Sequence, residues 1–126
     1  MSHSIVYNPE AHAIESKVQG DLTFGEVKEI ITEIALLVKE KGCTLILSDY
    51  SEATLKLAII ELYELPKIIL STFASSGLKA QRLRRALVAS KEVKDFQFFE
   101  NVTVNRGLNT KVFYDIVEAK KWLYKK

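Results

Sequence analysis

The sequence predicts an α/β fold: about five strands in a mostly parallel sheet, an antiparallel strand at its N-terminal edge, and four to five helices. Three observations predict it. The chain opens with two short β-prone stretches joined by a turn. Apolar runs of strand length then alternate with helical periodicities to the end. The links between them are short, and strand–helix alternation with short links gives a parallel sheet with right-handed crossovers.

Ile5-Val6-Tyr7 is β-prone, and Asn8-Pro9-Glu10 reads as a turn because proline fixes φ and asparagine favours turn geometry. From Ala11 to Val18 the even positions are His12, Ile14, Ser16 and Val18, while Glu15 and Lys17 fall on odd ones. That alternation predicts a strand with one wet face, paired to the first as a hairpin. Gly20-Asp21-Leu22 is expected to break it.

Thr23 and Glu26 have capping-box spacing. Phe24, Val27, Ile30, Ile31, Ile34, Leu37 and Val38 follow with a helical period. Lys39 and Lys41 suit the negative end of that helix, and Gly42 suits a left-handed stop. Thr44 to Ser48 predicts a central strand covered on both faces, closed by Asp49-Tyr50-Ser51-Glu52. Residues 54–65 have a helical period. Pro66 predicts a break or kink there, with a second helix from Pro66 to Ser76 ending at Gly77. Ala86-Leu87-Val88-Ala89 predicts another buried strand. Asp95 predicts a capped helix carrying Phe96, Phe99 and Val102 and ending near Gly107. Lys111 to Tyr114 predicts the last strand. Asp115 and Glu118 cap a final helix with Ala119, Trp122 and Leu123 inward.

The 126 residues suit one domain, with no linker or internal repeat. Hydrophobic residues at 48% and charged residues at 27% match an ordinary globular core and surface. A net charge of +2, from 18 basic and 16 acidic residues, disfavours nucleic acid or an anionic membrane as the main partner. The lone Cys43 forms no internal disulfide or thiolate cage, and its neighbours predict a buried structural thiol. No basic-then-apolar leader opens the chain and no apolar run reaches membrane length, which predicts a cytoplasmic location.

Four segments in order, the strand ending in Leu47-Ser48-Asp49-Tyr50, then Glu61-Leu62-Tyr63-Glu64-Leu65-Pro66, Ala86-Leu87-Val88, and Phe113-Tyr114-Asp115 followed by Glu118-Ala119 and Trp122-Leu123, resemble the STAS-like or SpoIIAA-like domain family in its bacterial STAS/CRAL-TRIO-like branch. The resemblance covers nearly the whole chain. It implies a superhelix of strand–helix units with an added antiparallel N-terminal strand, no cofactor, and no enzymatic chemistry for most members. The best understood relatives antagonise anti-sigma factors through a phosphorylated serine in an Asp-Ser-Ser/Thr-Gly-like turn. Here Tyr50-Ser51-Glu52-Ala53 follows Asp49, so the turn is missing and the phosphoserine role passes to no residue.

Ser48, Asp49, Tyr50 and Ser51 are the leading site candidates. They stand at the carboxyl end of a central parallel strand, where open α/β sheets bind ligands, and could contact a polar ligand or a partner. Equally, Asp49 and Ser51 satisfy turn amides and Tyr50 packs with its hydroxyl outward. Asn105 and Arg106 are weaker candidates for a cleft, and Asn105 with Gly107 also fits a plain helix exit. Arg82, Arg84 and Arg85 with Lys79 form a basic cluster, but strand alternation sends Arg84 and Arg85 to opposite faces. Phe96, Phe98, Phe99 and Trp122 fit either an apolar pocket or core. His3 and His12 do not converge with other ligands, and no glycine-rich phosphate loop or Gly-x-Ser-x-Gly elbow is present.

These features predict a non-enzymatic binding or interaction domain without cofactor or metal. Its partner is a protein or a second copy, docked on a sheet face that one-sided crossovers leave under-covered. A small carrier of an apolar, lipid-like ligand is the second reading, and an anti-sigma-factor-antagonist-type regulator lacking the phosphoserine turn is another. An enzyme using Asp49 as base or nucleophile is the remaining alternative.

Overall fold

The structure, a computed structural model, describes residues 2–79, 82–90 and 109–125. Strands β1 (Ser2–Asn8) and β2 (Ala13–Leu22) pair antiparallel, with Val6 opposite Glu15 and Ile5 opposite Ser16. The Asn8 side chain closes the connecting turn by accepting the Glu10 and Ala11 amides at 3.1 and 3.3 Å. His12 takes a positive φ of 52° there, with its ring nitrogen 2.6 Å from the Tyr7 hydroxyl.

Helix α1 (Phe24–Lys41) starts at the predicted capping box. Glu26 N–H donates to Thr23 Oγ1 at 3.3 Å, and Thr23 N–H donates to Glu26 Oε1 at 3.0 Å. It stops at Gly42, whose φ of 67° is the left-handed conformation that glycine adopts without a Cβ penalty. The chain then continues as β3 (Leu45–Leu55), α2 (Ile59–Ser75), β4 (Arg84–Val88), β5 (Asn109–Phe113) and α3 (Ile116–Leu123). The five strands lie in sequence order, β1-β2-β3-β4-β5, and every pair after the first is parallel.

Three expectations are corrected. Gly20-Asp21-Leu22 does not break β2. The tail of β3 supplies ladder partners for it, Gly20 to Ala53 and Leu22 to Leu55, after a bulge between Lys17 and Gln19. By the same token Asp49-Tyr50-Ser51-Glu52 is not a terminal turn but the middle of an eleven-residue strand. Their turn propensity is spent on the bulge, where two residues of β3 face one of β2.

The third correction concerns Pro66, which lies inside a single helix. A proline costs an interior helix about 3 kcal/mol. Burial of Leu62, Leu65, Pro66, Ile69 and Phe73 along one stripe offsets that cost, since each large apolar side chain contributes about 1.5–3 kcal/mol. The described residues therefore hold three helices rather than four or five. The helix expected from Asp95, with its aromatic residues Phe96, Phe98 and Phe99, lies outside them, as do Asn105 and Arg106.

Alternation along the strands builds two cores. Ile14, Val18, Ile46, Tyr50, Leu87 and Ala89 meet α1 and α2 on one face. Leu47, Ala86 and Val88 meet Ala119 and Leu123 of α3 on the other. The crossovers do leave that second face to other elements, and α3 folds back over its β3–β5 half. Tyr124 Oη donates to Glu15 Oε2 at 2.5 Å and ties the end of α3 to β2. Beyond α3 the face is mostly polar: Ser2, Ser4, Lys17, Gln19 and Glu52 are exposed, and Gln19 Nε2 donates to Glu52 at 2.6 Å. Among the described residues Val6, 54% exposed, is the large aliphatic side chain on this part of the face.

Candidate functional site

The four leading candidates separate onto two faces of β3. Asp49 and Ser51 turn toward the α3 side and line an open cleft of about 730 Å³ at the carboxyl ends of β4 and β5, beside the middle of β3. Val88, Phe113, Tyr114, Asp115, Ile116 and Glu118 complete its described wall. The Asp49 carboxylate is engaged by its own strand: Ser51 donates to Oδ1 from its amide at 3.0 Å and from its hydroxyl at 2.6 Å. Asp115 is engaged likewise, accepting the Val117 amide at 2.8 Å as the cap of α3. This rim is polar and fixed, over an aromatic and aliphatic floor.

Ser48 and Tyr50 point the other way, into the layer between the sheet and helices α1 and α2. No part of Ser48 is exposed, and Tyr50 is 3% exposed. The expectation that Tyr50 packs with its hydroxyl in solvent is thereby corrected. Arg85 joins them from β4. Its Nε donates to Ser48 Oγ at 3.1 Å, and its guanidinium bonds the Tyr50 phenol. Burial raises the Tyr50 pKa, so the phenol stays neutral, and the charge on Arg85 opposes that rise only in part. Burial lowers the Arg85 pKa, and the Tyr50 oxygen acts against it. Arginine is nonetheless too basic to lose its proton, so the group stays a cation in an apolar layer.

The buried polar residues of the described chain are Ser16, Ser48 and Thr110. All three share the core face with Arg85. Ser16 stands opposite Ser48 in the β2–β3 register, and Thr110 stands opposite Arg85 in the β4–β5 register. A polar stripe thus crosses four strands beneath helices α1 and α2. Ser16 Oγ finds no hydrogen-bond partner among the described residues. Arg85 itself is partly buried, and no described carboxylate is paired with it.

Two small cavities flank the guanidinium. One, of about 30 Å³, is walled by Ile31, Ile34, Ile46, Ile69, Phe73 and Leu83, with Asn109 and Thr110 at its polar side. The other, of about 20 Å³, lies toward Tyr50, Leu55 and Leu65. Such volumes accommodate a few atoms, since one water takes roughly 10–15 Å³ on this measure. A long acyl chain has no room in either.

The basic cluster disperses as alternation requires. Arg84 lies on the α3 side, its guanidinium 4.3 Å from the Trp122 ring centroid and donating to the Trp122 carbonyl at 3.0 Å. Cys43 is buried and burial raises its thiol pKa, which suits a structural role. Among the described residues no group of three or more His, Cys, Asp or Glu side chains is placed to hold a metal ion, and no helix is long and apolar enough to cross a membrane.

The sequence reading missed Ser16, Arg85 and Thr110 as a set. Each replaces an apolar residue at an inward position: Ile14-Ser16-Val18 in β2, Arg85-Leu87-Ala89 in β4, Thr110-Val112 in β5. A polar residue in the inward register of a strand is the signal that finds them.

Consecutive parallel strands, an antiparallel N-terminal edge and helices α1 and α2 on one face define a SpoIIAA-like α/β fold. A solved structure agrees: the chain is similar to an uncharacterised protein of the DUF3478 family from Shewanella loihica PV-4, described as having a SpoIIAA-like fold, at 21% identity and a TM-score of 0.58, over 97% of this chain and 92% of that one. No protein-family profile and no curated protein matches the chain. The STAS/SpoIIAA-like resemblance of the sequence is thus met at the level of the fold.

Proposed function

We propose that this chain is a non-enzymatic interaction domain that docks a protein partner at the carboxyl edge of its sheet. The observation that carries this reading is a pair of adjacent isoleucines. Ile59 and Ile60, in the first turn of α2, are 70% and 71% exposed. Helix α2 follows β3, so its N-terminus stands at the same end of the sheet as the Asp49–Asp115 cleft, where Tyr114 and Val117 are also exposed. Aliphatic side chains gain nothing from water at a helix start, where capping residues are the rule. Here position 58 is an alanine without a side-chain acceptor, and only Glu61 reaches back, accepting the Ala58 amide at 2.7 Å. Apolar residues rimmed by polar ones mark protein interaction sites. The engagement of Asp49 by Ser51 favours a bracket over a free catalytic base. The mostly polar sheet face beyond α3, with Val6 its exposed aliphatic residue, favours a partner at the isoleucine pair over a second copy on the sheet.

A photo-crosslinking residue at position 60, introduced in the native host, tests the reading. A discrete heterologous adduct is expected, lost when Ile59 and Ile60 are both changed to Asp in a chain crosslinked instead from position 114. Adducts with this chain alone, or none at all, overturn it.

A further inference from the structure

The polar stripe beneath α1 and α2 has no part in that surface, and a built-in purpose for it is legible in its donors. A guanidinium presents five N–H groups in a planar fork. Ser48 takes the Nε–H and the Tyr50 phenol takes another. The remaining donors have no acceptor among the described residues, and they border both cavities. Thr110 stands beside Arg85 in the register and adds a hydroxyl to the larger cavity. Around them the walls are aliphatic and aromatic: Ile31 and Ile34 from α1, Ile69 and Phe73 from α2.

We infer that Arg85 seats the carboxylate of a short-chain monocarboxylic acid, with its small apolar body among Ile31, Ile34, Ile69 and Phe73. Three features select that class. A guanidinium fork matches a planar two-oxygen anion and binds it through parallel hydrogen bonds. A single partly buried guanidinium is neutralised by a monoanion, whereas a dianion would bring an unmatched charge into a mostly apolar layer. The cavities hold a few atoms, which excludes long acyl chains and leaves acids of roughly acetate-to-butyrate size. Ser48 positions the guanidinium rather than the ligand, because it holds Nε and so fixes the direction of the fork.

Titration of the isotope-labelled protein with sodium acetate, propionate and butyrate at constant ionic strength, followed by NMR of the Arg85 Nε–H and the Ser48 and Thr110 amides, tests this. Saturable shifts at those groups are expected. Each added methylene should tighten binding about fourfold, since it removes one CH₂ from water. Arg85→Met should abolish the response, and Ser48→Ala should weaken it about tenfold. If Arg85→Met does not fold, Ser48→Ala and Thr110→Val carry the same comparison. Three outcomes overturn the inference: no saturable shift at millimolar acid, an equal response to 1-butanol, or an equal response to sodium nitrate, which would mark a general anion site. None of these bears on the crosslink at position 60, so the two readings stand or fall separately.

Discussion

Arg84 and Arg85 are neighbours in the chain, and their guanidinium groups lie on opposite faces of the sheet. Arg84 covers the Trp122 ring at 4.3 Å and fastens α3 from outside, whereas Arg85 holds Ser48 at 3.1 Å inside the α1–α2 layer. The division follows from the two-residue period of a strand. It turns an apparent basic patch into two unrelated devices. One is a clamp on the C-terminal helix and the other a partly buried cation under α1 and α2.

The clamp makes the first prediction. Arg84→Ala removes a cation–π contact worth about 0.5–2 kcal/mol and a hydrogen bond to the Trp122 carbonyl worth about 1 kcal/mol. Urea unfolding should show a loss of about 1–3 kcal/mol. Trp122 is the sole tryptophan, so its emission reports on α3 directly and should move to longer wavelength. Unchanged emission with unchanged stability would mean that Leu123 and Ala119 alone hold the helix.

A second tie holds the same helix from its far end. Tyr124 donates to Glu15, and burial, followed by that hydrogen bond and the carboxylate's charge, raises the phenol pKa well above its ordinary value of 10. A phenol with a raised folded-state pKa stabilises fully below pH 10, and the contribution disappears as pH rises from there toward the folded value. Tyr124→Phe should therefore cost about 1–2 kcal/mol at pH 7, and the variant should lose less than the wild type between pH 10 and 12. Parallel curves through the alkaline range would disconnect the phenol from the stability of the fold.

The start of α1 gives the opposite sign. Two hydrogen bonds from Thr23, backbone first and then side chain, depress the Glu26 pKa below 4.5. A depressed carboxylate stabilises above its unfolded pKa, and that contribution is lost as pH falls through the folded one. Glu26→Gln should flatten the acid limb of the stability curve below about pH 4.5 while keeping one acceptor for the Thr23 amide. Thr23→Ala should cost about 1 kcal/mol at neutral pH. Chemical denaturation at pH 3, 4, 5 and 7 separates the two effects.

How much of this was open to a reader of residues depends on whether local and tertiary preferences agree. At Thr23, Glu26 and Gly42 they agree, and both ends of α1 stand where the sequence places them. The strand order likewise follows from alternation and short links. At Asp49-Tyr50-Ser51-Glu52 they disagree, because turn-forming side chains serve a bulge inside a long strand whose partner, the end of β2, lies thirty residues upstream. Pro66 is the same kind of case: its ring is wholly buried in the core stripe of α2, and packing overrides helix propensity. The candidate cluster at 48–51 was read as one group, and the strand's alternation divides it. Asp49 and Ser51 do reach the carboxyl-edge cleft, while Ser48 and Tyr50 belong with Arg85, whose partners only the register across three strands brings together.

The bulge itself yields the last prediction. Ser51 donates twice to Asp49 Oδ1, and this pair spans the point where β3 gains one residue over β2. If the pair sets the bulge, Asp49→Ala releases two donors at a partly exposed site, for a cost of about 1–2 kcal/mol. The effect should be local. Residues on the bulged side of β3, Ala53 and Leu55, anchor the end of β2 through Gly20 and Leu22, so amide exchange should accelerate at positions 20–22 and 51–55. It should stay slow at Ile46 and Leu87, which pair on the other side of the bulge with Ile14 and Ser48. Asp49→Asn, which keeps the acceptor oxygen, should restore protection. If exchange rises uniformly, or if asparagine fails where alanine fails, Asp49 is not the bracket of the bulge and its carboxylate is free for the cleft.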